Sequence, residues 1–271
     1  MPAKKGYRKR AGNSKRFVKS VQQIVRKELA EEMEEKQAIV QYDNIPLVRS
    51  IPSGTVFNGQ GNFFQLLPVI SQSTTGEAGR AYGERVGNEI SLKKLTLKYF
   101  LNYNQPDALE IRPQDHKIAV RVMILKCKQY NDVTKAFDDM PTDKLIRFGT
   151  FNGVSGPAPF NADPLDLHAT INRDVFTVRY DKIHVLTAPV NISGATGVDL
   201  VAEPSGLKFG SKTLTFGKRG MKLKFSDNND TISNSFGYFM AVGYVSLSSP
   251  DKPASNLVNM TVNSSAIYTD A

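Results

Sequence analysis

Ten lysines and arginines stand within the first 27 positions of this sequence: Lys4, Lys5, Arg8, Lys9, Arg10, Lys15, Arg16, Lys19, Arg26 and Lys27. No acid appears before Glu28. Cations this dense can neutralise phosphates without reading base sequence. Tyr7 and Phe17 lie among them, and aromatic rings can stack on unpaired bases. The whole chain has 35 Lys and Arg against 26 Asp and Glu, a net of +9. Beyond residue 27, 25 basic residues face 26 acidic ones, so the remainder stands near neutrality at −1. The chain therefore reads as a near-neutral body with a cationic arm. A block of like charge repels itself and gains little by burial, so residues 1–15 are expected to be disordered. The natural partner of such an arm is a polyanion, nucleic acid above all. No helix-turn-helix or zinc-finger spacing is present, so sequence-specific binding is not expected. The stretch KKGYRKR also resembles a basic nuclear-localisation cluster.

The remaining candidates for chemistry are sparse. His116, His168 and His184 are scattered, without the paired spacing of metal ligands. His184 sits in a strand pattern, YDKIHVLTA, where a satisfied sheet histidine is expected. The single cysteine, Cys127, ends an apolar run and reads as a buried, inert thiol. One cysteine excludes an intrachain disulfide and a multi-cysteine zinc site. GQGNFF and GVSGPAPF do not follow the phosphate-cradle pattern. FSDNNDTIS clusters Asp227, Asn228, Asn229 and Asp230 but lacks the spaced Glu of a calcium loop, so a solvated turn is expected. Asp138, Asp139, Asp163 and Asp166 are the carboxylates an enzyme would need, yet they show no paired spacing. No Trp is present to line a sugar cleft. No catalytic residue, cofactor or metal is expected. The start, MPAKKGYRKR, does not read as a secretory signal, and no apolar run approaches the roughly 20 residues of a membrane helix, so no membrane partner is expected. Sequons beginning at Asn191, Asn229, Asn259 and Asn263 read as chance matches.

Positioning falls to an amphipathic helix and a β body. Phe17, Val18, Val21, Ile24, Val25, Leu29 and Met33 recur at helical spacing, which predicts a helix or linker over 16–40. Its positive charges come first and its glutamates later, against the helix dipole, so a partner is needed to steady it. That partner is either the helix's own domain or a neighbouring copy during assembly. Residues 41–271 form the body. About eight strand-like runs fall near 46–57, 63–71, 89–103, 117–128, 174–187, 212–225, 237–248 and 257–269. In EISLKKLTLKYFLNY the apolar phase slips at Lys93–Lys94, as at a β-bulge. KIAVRVMILKC and GYFMAVGYVSL are apolar in both phases, as central strands covered on two sides would be. A short helix is expected at 133–148, and long Gly/Pro-rich loops follow it. The fold class read from this is all-β: one eight-stranded jelly-roll sandwich with a basic N-terminal arm and a short amphipathic helix.

Several stretches carry a resemblance. GERVGNEISLKKLTLKYFLN (83–102), KIAVRVMILKCKQYND (117–132), DPLDLHATINRDVFTVRYDKIHVL (163–186) and then GKRGMKLKFSDNN and FGYFMAVGYV resemble capsid proteins of circular, Rep-encoding single-stranded DNA viruses, the circovirus-like group. The likeness spans most of 83–247 as apolar and turn pattern. It implies a self-assembling icosahedral T=1 shell, a homo-oligomer of this chain, with the arm on a packaged single-stranded genome, DNA in preference to RNA. It also implies a virion location, passage through the host nucleus and a nuclear import receptor as partner. The arm departs from the family's in being short and mixed with Lys. Small single-stranded RNA viruses, satellite and tombus-like ones included, use the same architecture. A cellular β-sandwich that binds nucleic acid is the third reading.

Overall fold

In the computed structural model, the described residues are 17–25, 35–51, 62–73, 83–104, 112–131, 141–151, 154–188, 191–193, 199–201, 206–227 and 229–270. Among these described residues fourteen strands run β1 (Lys36–Leu47), β2 (Phe63–Gln65), β3 (Glu89–Tyr103), β4 (Lys117–Cys127), β5 (Ile146–Phe151), β6 (Val154–Ala158), β7 (Thr170–Ile171), β8 (Phe176–Thr187), β9 (Asn191–Ser193), β10 (Asp199–Val201), β11 (Leu207–Thr215), β12 (Met221–Lys224), β13 (Tyr238–Ser246) and β14 (Val258–Asp270). Residues 17–25 are helical.

Two sheets make the sandwich. The first has the order β1-β14-β3-β11, with β12 also on β3, and the second has the order β2-β13-β4-β8. Setting aside the short accessory strands leaves eight, and the two orders become 1-8-3-6 and 2-7-4-5 along the chain. First pairs with eighth, second with seventh, third with sixth and fourth with fifth, all antiparallel. That is a long antiparallel ribbon rolled into two facing sheets, the jelly roll. The fold is an all-β jelly-roll sandwich.

The inner faces meet in one core. Leu95, Leu97 and Leu101 of β3 and Met260 and Val262 of β14 pack against Ile118, Val120 and Val122 of β4 and Val242 and Tyr244 of β13. The second sheet has a further apolar layer outside it. Met123, Leu125, Phe239, Ala241 and Val245 meet Leu145, Ile146, Phe160, Leu167 and Ile171 from the β4–β8 connection, which carries the small sheet β6-β5-β7. Every residue of β13 is buried, and so is most of β4, because each phase of these strands faces one of the two cores. This is the arrangement their doubly apolar sequences predict.

Close approach over β13 depends on Gly243. A Cβ at Gly243 would stand 2.5 Å from Cε1 of the fully buried Phe160. Gly243→Ala is expected to cost about 1–3 kcal/mol through overpacking. A calorimetric melt checks this, and adding Phe160→Leu should restore part of the loss by making room.

The phase slip of β3 is a bulge. Ile267 pairs with Lys94 and Tyr268 with Leu92, so Lys93 has no partner on β14. Several expected elements differ. The run at 212–225 is split into β11 and β12 by a turn whose Gly217 and Gly220 have φ of 78° and 71°. Of the run at 46–57, residues 46–47 end β1 (Lys36–Leu47), 48–51 are not strand, and 52–57 lie outside the described residues. Residues 36–40 are therefore strand and part of the sandwich, which shortens the helix-and-linker segment. Burial alternates from Lys36 to Ala38 to Val40 to Tyr42, the period of an edge strand lying on β14. Of the helix expected at 133–148, residues 142–144 form a 3-10 turn and 146–148 lie in β5. Residues 132–140 lie outside the described residues.

Candidate nucleic-acid-binding surface

Of the ten arm cations, only Lys19 falls among the described residues, exposed on the helix at 17–25. Lys4, Lys5, Arg8, Lys9, Arg10, Lys15, Arg16, Arg26 and Lys27 lie outside them. All nine helical residues are exposed, including Phe17, Val18, Val21, Ile24 and Val25 of the apolar stripe read from the sequence, while Leu29 and Met33 lie outside the described residues. The chain enters the body at Lys36, which opens the edge strand of the first sheet. Lys36 Nζ is anchored there, 2.6 Å from Asp270 Oδ2 and 2.9 Å from the Glu84 carbonyl.

The outer face of the first sheet has no covering layer among the described residues. It presents the phase of β3 opposite to the core leucines: Lys94, Thr96, Lys98, Phe100 and Asn102. β11 sets Thr213, Ser211 and Phe209 beside Thr96, Lys98 and Phe100. β14 sets Ser265, Asn263 and Thr261 on their other side. Phe100 and Phe209 stack with ring centroids 5.0 Å apart, and Phe209 is 75% exposed. Lys222 and Lys224 on β12 continue the face and flank Glu89 at 3.6 and 3.3 Å. Asp43 lies at the β1 bulge and accepts from Thr261 Oγ1. The sequence signal for this face was the polar phase of EISLKKLTLKYFLNY, which alternates as regularly as its leucines.

Several of the other candidate groups have structural partners. The Tyr99 hydroxyl lies 2.8 Å from that of Tyr180 and 2.7 Å from His184 Nε2, which ties β3 to β8 between the sheets. Burial, with Lys182 and Lys208 nearby, holds the His184 imidazole below its ordinary value, so it is neutral at pH 7. Cys127 is buried. Asp166 is buried and its Oδ2 accepts the backbone N–H groups of Asn161 and Asp163, while desolvation pushes its carboxyl above the usual range. Asp163 faces Lys252 at 3.5 Å. Asp138 and Asp139 lie outside the described residues. In the FSDNNDTIS turn, Asp227 Oδ1 accepts from the N–H groups of Asn229 and Asp230, and Asp230 Oδ2 from those of Ser226 and Asp227. The carboxylates thus close the turn on its own backbone.

A groove of about 580 Å³ opens beside the β5–β7 insertion, between Arg121, Arg147, His168, Arg173, Asp174 and Asp181. Arg121 is forked onto Asp181 at 2.9 and 2.7 Å and donates to the carbonyls of Asp166 and Ala169. Arg147 pairs with Asp174 at 2.8 Å. Arg121 therefore braces the insertion against the second sheet. Among the described residues no three His, Cys, Asp or Glu side chains gather to hold a metal ion.

No family model matches the sequence, and no curated protein matches it. Among solved structures, a chain of the full particle of Israeli acute paralysis virus, heated to 63 degrees, aligns over 89% of this chain and 69% of its own, with 11% identity and a TM-score of 0.28. A likeness that loose does not define a shared fold, and the jelly roll rests on the strand order itself.

Proposed function

We propose that this chain is a viral capsid protein which self-assembles into a small icosahedral shell and packages single-stranded nucleic acid through its basic arm. The observation that carries this reading is the division of labour in one chain. A block of ten cations with no acid precedes a near-neutral jelly roll in which His184, Asp166, Asp227 and Asp230 are engaged in holding the fold. The exposed apolar stripe of the helix at 17–25 supports assembly, since a copy-to-copy contact would bury it. The resemblance to circovirus-like capsid proteins favours a T=1 shell, a DNA genome, and nuclear import through the KKGYRKR cluster. The same physics serves a capsid of a small RNA virus.

Negative-stain electron microscopy of the expressed chain tests the reading. Closed shells of uniform size are the expected result, and a protein that stays monomeric at high concentration overturns it. Nuclease digestion of nucleic acid extracted from those shells then separates the genome types: loss to DNase and resistance to RNase is the outcome expected for DNA.

A further inference from the structure

We propose that the outer face of the first sheet is a second nucleic-acid site, in which bases of a single strand stack on Phe209 and Phe100 while Lys94 and Lys98 meet its phosphates. The inference rests on the nucleic-acid reading of the arm and adds a partner surface on the folded body. Four observations point to this occupant. Phe209 is a large aromatic left 75% exposed on the edge strand β11, already stacked on Phe100 of the neighbouring β3. An isolated stacked pair offers a flat π-face, which any base can cover. Lys94 and Lys98 lie on the same side of the same strand, and Lys222 and Lys224 extend the row. The acids of the face are outnumbered, Asp43 standing two strands away and Glu89 lying between Lys222 and Lys224. Ser, Thr and Asn residues fill most of the rest beside Phe100 and Lys98, and these donate to phosphate and base edges without demanding one sequence.

Geometry adds continuity. Lys94 to Phe100 spans about 20 Å of extended strand, enough to track several nucleotides. The arm joins the body at β1, the edge of this same sheet, so a strand held by the arm is delivered to the face. The pair is bordered by Lys98, Ser211, Asn102 and Thr261, with Leu207 next along β11 and Ile39 and Ile267 farther across the face, so polar and charged neighbours outnumber apolar ones around it and disfavour a partner of purely apolar chemistry. A second copy docking here by its own same face would bury Lys94 and Lys98 near their own like charges.

The test uses full-length, unassembled subunits and fluorescent oligo(dT). Phe209→Ala should weaken binding about 5- to 150-fold, the loss of one stacked base. It should leave the salt slope unchanged, because no charge is removed. Phe209→Trp should bind as wild type. Lys94→Gln with Lys98→Gln should flatten the slope of log K against log salt by about 0.7 per lysine. In assembled particles, ultraviolet cross-linking should attach nucleotide to the peptide holding Phe209. If Phe209→Ala binds as wild type while glutamines at the arm cations weaken binding, the face is not a site and the arm reading stands. If neither variant changes binding, the nucleic-acid reading itself fails. If Phe209→Ala alters particle assembly but not oligo(dT) affinity, the face is a contact between copies and the inference is overturned.

Discussion

Replacing the ten arm cations by glutamine in the full-length chain should give shells that close normally but contain no nucleic acid. The charge distribution sets the size of this effect. The first 27 residues hold ten cations and no acid, and everything after them sums to −1. A polyanion approaching the body alone meets no net attraction. With the arm present, as many as ten phosphates exchange their counterions for lysine and arginine. The slope of log K against log salt for single strands then reaches about −7, at roughly −0.7 per contact. Raising salt from about 50 to 200 mM should weaken binding by roughly 10³- to 10⁵-fold. In the glutamine variant most of that slope should disappear, leaving only the shallow dependence supplied by body lysines. The absorbance ratio of purified particles at 260 and 280 nm reads packaging, and fluorescence anisotropy across a salt series reads the slope. A flat salt response of the unmodified chain, or normal packaging by the variant, would sink the electrostatic account. Glutamine substitution is preferable to deleting residues 1–27, because deletion also removes the exposed helix at 17–25 and would mix a packaging defect with an assembly defect.

Much of the sandwich was legible because local pattern and burial agree strand by strand. The leucine phase of β3 and its slip at Lys93 were visible in the alternation, and the doubly apolar β4 and β13 announced two cores. Strand order was not legible. β1 pairs with β14, and Lys36 meets Tyr268 from the other end of the chain, so no local pattern encodes that contact. The first four residues after Lys36 were absorbed into the helix because they follow a helix-spaced, glutamate-rich run, whereas the edge of a sheet decides their conformation. The candidate site divides in the same way. The arm is a matter of composition and can be counted. The outer sheet face needed the fold, since Phe209 and Phe100 are far apart in sequence and become neighbours through the β11–β3 register. Structural arginines were invisible for a related reason: nothing local marks Arg121 and Arg85 as buried, because the segments that close over them are distant in sequence.

Arg85→Met should lower the melting temperature by roughly 6–20 °C, the largest loss expected from a single change in this body. Arg85 is fully buried, an unusual place for a guanidinium. Its Nη1 donates to the Gly87 carbonyl at 2.6 Å and to Asn88 Oδ1 at 2.8 Å, at the entry to β3. Its Nη2 donates to the carbonyls of Asp227 and Asp230, both at 2.8 Å, in the turn after β12. The guanidinium plane lies 4.2 Å from the Phe225 ring centroid. One side chain therefore fastens that turn, the start of β3 and the segment before it. Burial works against its charge, while Asp230, Asp227 and Asp270 favour it. Methionine fills much of the volume but donates nothing, leaving several carbonyls without that partner at about 1–3 kcal/mol each. Because the lost bonds share one hub, the total is set nearer 3–5 kcal/mol than their sum. For a chain of this size each kcal/mol shifts the melting point by about 2–4 °C. Arg85→Lys separates charge from geometry. Lysine keeps the positive charge, but a single ammonium cannot fork to both segments. It should fall almost as far as methionine. Recovery of wild-type stability by lysine would show that charge alone matters at this position and that the forked geometry does not.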